Sequence, residues 1–239
     1  MPSHELTTMY TAKAVEYLIA VSYLLLFIPF WRFVNGGRAV GVPVPARQPA
    51  RASLATDWFQ LPAHLFFHPG HAWARVDGSD TVTVGIDDFA RRLVGPLSTI
   101  RLPNPGETVG QGDTGWTLIA DSTPIDMLSP VDGTVLAVNS QVLSSPEVVS
   151  QAPYDQGWLM KVRSPRLAAN LKHLLSGPLA RSWIAGVTDA LRLQGGPELG
   201  LVYQDGGMPV DGIARGLDPE NWHAVARSFL LTDDGGSHA

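Results

Sequence analysis

The sequence predicts one membrane-spanning α-helix, then a small, mainly β unit of flattened-barrel or sandwich type, then C-terminal helices. Three observations predict it. An uncharged apolar run lies near the start, and the middle of the chain consists of short alternating runs punctuated by Gly, Pro, Asp and Asn. Beyond Ser164 the apolar residues recur at helical spacing. With 239 residues, 45% of them hydrophobic, the chain suffices for one sizeable core with attachments or for two small cores.

The apolar run is "AVEYLIAVSYLLLFIPFWRFV", Ala14 to Val34. Nothing from Tyr17 to Trp31 is charged, and Glu16 and Arg32 sit where a side chain reaches headgroups. As a helix it would extend about 30 Å, the thickness of a bilayer's hydrocarbon core. A cleaved signal peptide would need a basic start and small residues at a cleavage site, and a buried core helix would show a polar stripe. Arg32, Arg38, Arg47 and Arg51 follow the run, whereas Lys13 alone among Lys and Arg precedes it. That asymmetry predicts a single pass through the cell's inner membrane, with the N-terminus outside and the main domain cytoplasmic. Residues 1–34 are therefore read as the membrane segment, and residues 35–56, rich in Pro, Gly and Arg, as a linker.

Residues 57–164 form the β unit. "HAWARV", "TVTVGI", "LSTIRL", "TGWTLIA", "IDMLSPV", "GTVLAV" and "GWLMKV" read as strands, separated by turn signals such as "VDGSD" and "PNPGE". "DDFARRLVG" interrupts them as one short helix with acids at its start and glycine at its end.

Composition removes several function classes. A net charge of -5 and few lysines argue against nucleic-acid binding, which needs clustered basic residues. With no cysteine there is no disulfide, thiolate metal site or thiol nucleophile. His64, His68 and His71 are spaced H-x3-H-x2-H, but Pro69 and Gly70 break the helix that such a ligand set would need. Asp87 and Asp88 suit a helix N-terminus better than an acid–base pair.

The ordered motifs "FHPGHAWARV", "VGIDDFARRLVGPLSTIRLPNPGETVGQGDTGWTLIADS" and "SPVDGTVLAVNSQVLSSPEVVSQAPYDQGWLMKV", from about His68 to Val162, resemble the glycine cleavage system H protein. The resemblance implies a lipoyl/biotinyl-type barrel-sandwich hybrid whose β-turn bears a lysine amidated with lipoate, the cofactor of a swinging arm. In this chain the equivalent position is Ser122, between Asp121 and Thr123, and no lysine lies between Lys13 and Lys161. A hydroxyl cannot form the anchoring amide. The implied carrier is degenerate: the turn keeps its shape, no cofactor is expected, and no catalytic residue is assigned.

Residues 165–232 are read as a helical extension with a hairpin. "SPRLAANLKHLLS" and "GPLARSWIAGVTDALRL" predict two helices, "ELGLVYQDGGMPVDGIA" a hairpin turning at Asp205–Gly207, and "LDPENWHAVARSFLL" a last helix capped by Asp218. Residues 233–239 are expected to be a disordered tail. The apolar stripes make Trp183, Trp222 and Phe229 candidate partner contacts, although the same stripes would equally complete the sandwich core. The functional expectation is a non-catalytic, membrane-anchored docking or structural subunit of a larger membrane complex, respiratory or otherwise oxidoreductive, whose partners are its other subunits and the bilayer. The alternative is a carrier or hydrolytic protein that uses Ser122.

Overall fold

The structure, a computed structural model, describes residues 58–195, 203–204 and 208–232, together with Leu18, Ser22, Tyr23 and residues 25–27. Two compact units result, Met1–Ala50 and Arg51–Ala239. The anticipated linker, the hairpin turn at Asp205–Gly207 and the tail at 233–239 lie outside the described residues.

Two antiparallel sheets form the second unit. Strands β1 (Phe66–Phe67), β2 (Ala72–Val76), β3 (Thr81–Ile86), β5 (Thr108–Val109), β8 (Gly133–Val138) and β9 (Met160–Arg163) make a six-stranded sheet in the order β1-β2-β3-β9-β8-β5. The smaller sheet has β4 (Thr99–Arg101), β6 (Thr114–Ala120) and β7 (Thr123–Leu128), in the order β4-β6-β7. Period-two patterning sets the inward faces: along β7, Ile125 and Met127 are buried while Pro124 and Asp126 are exposed, and along β6, Trp116, Leu118 and Ala120 point inward. They meet Val82, Val84, Val135 and Val162 of the larger sheet in one core.

The short helix α1 (Asp88–Val94) starts where expected. Asp87 caps it, one carboxylate oxygen accepting from the Ala90 N–H at 2.8 Å, and Gly95 ends it at φ 81°. Asp88 accepts from the Gln60 N–H at 3.0 Å and from Arg91 and Arg92, so both acids are structural. On β3, Gly85 stands opposite Trp73, and a Cβ there would lie 2.7 Å from the indole. That glycine is what lets the fully buried Trp73 cross the sheet and pack with Leu65, Phe67 and Ala180.

Two one-turn helices, α2 (Ser140–Ser144) and α3 (Glu147–Gln151), bridge β8 and β9. The stretch expected to form one helix after Pro165 splits into α4 (Leu167–Asn170) and a 3₁₀ turn (Leu171–His173), followed by α5 (Gly177–Gly195). Strands β10 (Tyr203–Gln204) and β11 (Met208–Pro209) pair as the expected hairpin, and α6 (Ile213–Leu217) and α7 (Trp222–Leu230) close the chain. Asp218 accepts from the N–H groups of Glu220 and Asn221, capping a turn that precedes α7 rather than α7 itself.

The choice left open for the C-terminal helices falls to the sandwich. Ile184, Leu191, Trp222, Ala226 and Leu230 are buried in the same cluster as the strands, with Trp183 and Phe229 packed against it. Trp222 is 8% exposed. The three aromatic rings singled out as candidate partner contacts are thus engaged within the chain.

Of the segment read as a membrane span, only six residues are described; all are helical, and the rest lies outside the described residues. Among the described residues no helix is long and apolar enough to cross a membrane. The fold-class reading is corrected accordingly: a β sandwich with C-terminal helices is present, and among the described residues there is no helix of crossing length.

Candidate functional site: the β6–β7 turn

Strands β6 and β7 pair from Thr114↔Leu128 to Ala120↔Thr123, leaving Asp121 and Ser122 as a two-residue turn. Both adopt positive φ, 47° and 64°. That is the pattern of a type I′ hairpin turn, whose twist matches the strands it joins. Asp tolerates the left-handed region well; Ser does so at some cost. Ser122 is exposed at the tip, where the resemblance places the acylated lysine. Thr117 donates to Asp126 at 2.7 Å across the hairpin and stiffens the stem. Lys161 lies on β9, 3.9 Å from Asp77 and 5.7 Å from the centre of the Trp158 ring, and is not at the turn.

The C-terminal helices reach this turn. Arg215 on α6 directs its Nε to Asp121 Oδ2 at 2.8 Å and its Nη2 to the same oxygen at 2.6 Å. Its Nη1 donates to the Val94 carbonyl at the end of α1, and its guanidinium lies 3.9 Å over the Trp222 ring. From α7, Arg227 donates to the Pro124 carbonyl at 3.3 Å, on the edge strand of the small sheet. The loop entering α6 is held by the Gly212 N–H, which donates to the Arg92 carbonyl at 2.7 Å. Gly95 and Gly212 approach so closely that a Cβ on Gly95 would lie 2.9 Å from the Gly212 backbone. Sequence reading did not find Arg215 and Arg227, because partners 94 and 103 residues away leave no local pattern.

A second polar centre is buried. His71, at φ 65° and 1% exposed, has its Nδ1 2.9 Å from Asp87 Oδ2. Its ring stacks on Phe89 at 4.2 Å and tilts against Trp183 at 4.7 Å, while Nε2 is buried without a hydrogen-bond partner. His68, in the same turn, accepts from the Gly70 N–H through Nδ1. Burial, aided by the neighbouring His71, lowers its pKa to about 4. Among the described residues no group of three or more His, Asp or Glu side chains is arranged to hold a metal.

At the far end of the hairpin, a third polar knot ties the strands to α4. Gln111 donates to the carbonyls of Pro130 and Asn170, and Asn170 Oδ1 accepts from the Asp132 N–H and Ser164 Oγ. Asp132, paired with Arg166, is held below the usual carboxylate range: desolvation pushes its pKa up, but bonds from Arg166, Ser164 and Asn170 together outweigh it.

The model of the glycine cleavage H-protein family matches residues 65–186. The glycine cleavage system H protein of Hydrogenovibrio crunogenus is 37% identical over 116 residues, covering 48% of this chain and 89% of the relative. That of Mycolicibacterium smegmatis is 36% identical over 131 residues, covering 54% and 98%. A crystal structure of the H protein from Mycobacterium marinum superposes with a TM-score of 0.47 at 26% identity, covering 54% of this chain and 99% of that one. These relatives, and the lack of a membrane-crossing helix among the described residues, overturn the inner-membrane, single-pass localisation read from residues 14–34. A sandwich of this order, a two-residue turn at this place and a family match across half the chain agree: the protein belongs to the glycine cleavage H-protein family.

Proposed function

We propose that this family member is a non-lipoylated, non-catalytic docking module, which offers an H-protein sandwich to a protein partner without carrying an acyl arm. One observation carries the reading: Ser122 occupies the tip of the turn, and Lys161 is on a different strand of the other sheet. An amide to lipoate needs an amine, and the turn supplies only hydroxyls and a carboxylate. The lipoyl carriers of glycine cleavage share this chain's scaffold by family, so partner recognition is a property the fold can retain after the arm is lost.

The competing reading, a carrier or hydrolase using Ser122, lacks its catalytic neighbours. The turn's carboxylate, Asp121, faces Arg215, and the histidine–carboxylate pair His71–Asp87 is buried in the core while Ser122 is exposed. Activation of a serine hydroxyl requires a base within hydrogen-bond reach. Replacing the H protein by this chain in a reconstituted glycine cleavage reaction tests the proposal. No glycine-dependent carbon dioxide release is expected; release at a rate comparable to an authentic H protein would refute it.

A further inference from the structure

We infer that Arg215 and Arg227 form a latch across the two shoulders of the β6–β7 turn, and that this latch bars the turn from acylating enzymes independently of the serine at its tip. The inference rests on the reading of the chain as a non-lipoylated module and deepens it: the turn has lost access as well as its amine.

Both shoulders are occupied. Asp121, just before the tip, accepts from Arg215 Nε and pairs ionically with Nη2 on the same oxygen, and the Pro124 carbonyl, two residues beyond the tip, accepts from Arg227. Arg215 cannot swing away freely. Its third nitrogen is committed to Val94, Trp222 lies under its plane, and the backbone feeding α6 is pinned at Gly212 against α1. Trp222, in turn, is anchored in the core. Arg215 is therefore the outer end of a buried assembly rather than a mobile surface side chain, and Arg227 adds an exposed contact from α7 on the other shoulder.

Access matters because of how such a turn is modified. The enzyme joins the carbonyl carbon of a lipoyl adenylate to a lysine Nζ. The new C–N amide bond replaces the acyl–phosphate C–O bond, AMP leaves, and a proton of the amine passes to solvent. A two-residue turn projects only its tip, so the enzyme's cavity must close around the residues on either side. Those are the residues that α6 and α7 hold. An acylating enzyme would have to strip both arginines from the hairpin before its active site could reach the tip.

The test restores the amine and then removes the latch in the full-length protein. S122K and S122K/R215Q/R227Q are incubated with a lipoate–protein ligase, lipoate and ATP, and acylation is followed by intact mass. Gln retains stem packing on Trp222 but cannot form the ion pair, and a far-UV dichroism spectrum matching that of the S122K protein verifies folding. The latch-free variant is expected to be acylated about tenfold faster or more than S122K. Equal rates, or no acylation of either folded protein, would overturn the latch while leaving the proposed function standing. An acyl group on the unsubstituted chain would overturn that function and the latch together.

Discussion

The β6–β7 turn and the buried His71–Asp87 centre, a shelf under the C-terminal helices, both hold non-glycine residues at positive φ, and both touch those helices, yet they are built in opposite ways. At the shelf, a 1%-exposed imidazole lies between Phe89 and Trp183 and is tied to a carboxylate that also caps α1. At the turn, the backbone is exposed and its contacts to α6 and α7 are charge-assisted. The shelf joins the C-terminal helices to the sandwich by burial, which salt leaves intact. The turn is fixed in position by ion pairing, which salt weakens. Stability and display are thereby separated in one domain.

His71→Ala should give the largest effect. It leaves Asp87 Oδ2 buried without its partner and opens a gap between two rings, costing about 3 kcal/mol or more in chemical denaturation. A loss under about 1 kcal/mol would mean the shelf is not a joint. Acid should act on the same region. Burial lowers the His68 pKa in the fold to about 4 from its ordinary value of 6.5, so the unfolded chain binds more protons in that window. Stability contributed by the neutral, buried ring is complete above about pH 6.5 and is lost as pH falls towards 4, on the order of 3 kcal/mol in all. Denaturation midpoints measured across that range should fall, and H68Q should flatten the slope.

Gly85→Ala is expected to cost about 1–3 kcal/mol, because the methyl group would collide with the Trp73 indole rather than with a flexible chain end. The turn should respond far less. Asp121→Ala removes an ion pair whose acid is 72% exposed, so equilibrium stability should change by less than about 1 kcal/mol. Amide exchange at residues 120–123 should nevertheless quicken, and molar salt should quicken it in the unsubstituted protein too. A large fall in denaturation midpoint with Asp121→Ala would erase the distinction between turn and shelf. Smallest of all, Ser122→Gly should be neutral or stabilise by about 0.5–1 kcal/mol, since glycine adopts φ 64° without steric cost.

The sandwich was legible because its evidence is local. Alternation in "TGWTLIA", the Asp87 cap and the Gly95 stop each act within a few residues and reappear in the structure, and "TVTVGI" forms the expected strand although both of its faces are buried. Ser122 was legible for the same reason, as a position within an ordered motif. The latch was not: Arg215 meets Asp121 and Val94 only after the C-terminal segment folds back, and nothing near any of them in sequence marks the encounter. The apolar stripe around Trp222 was visible, but a stripe has no address. Burial against the sandwich and burial against a partner demand the same pattern. The apolar run at 14–34 misled as to localisation, because hydropathy reads the composition of a segment and says nothing of the family its neighbouring domain belongs to.

The proposed function stands on a turn that keeps its hairpin shape and carries Ser122 at its tip. The most direct measurement is the intact mass of the protein isolated from the cells that make it, followed by fragmentation across residues 114–128. The account predicts peptide masses equal to the unmodified sequence at Asp121–Thr123. A stoichiometric acyl or phosphopantetheinyl increment on Ser122 would contradict it.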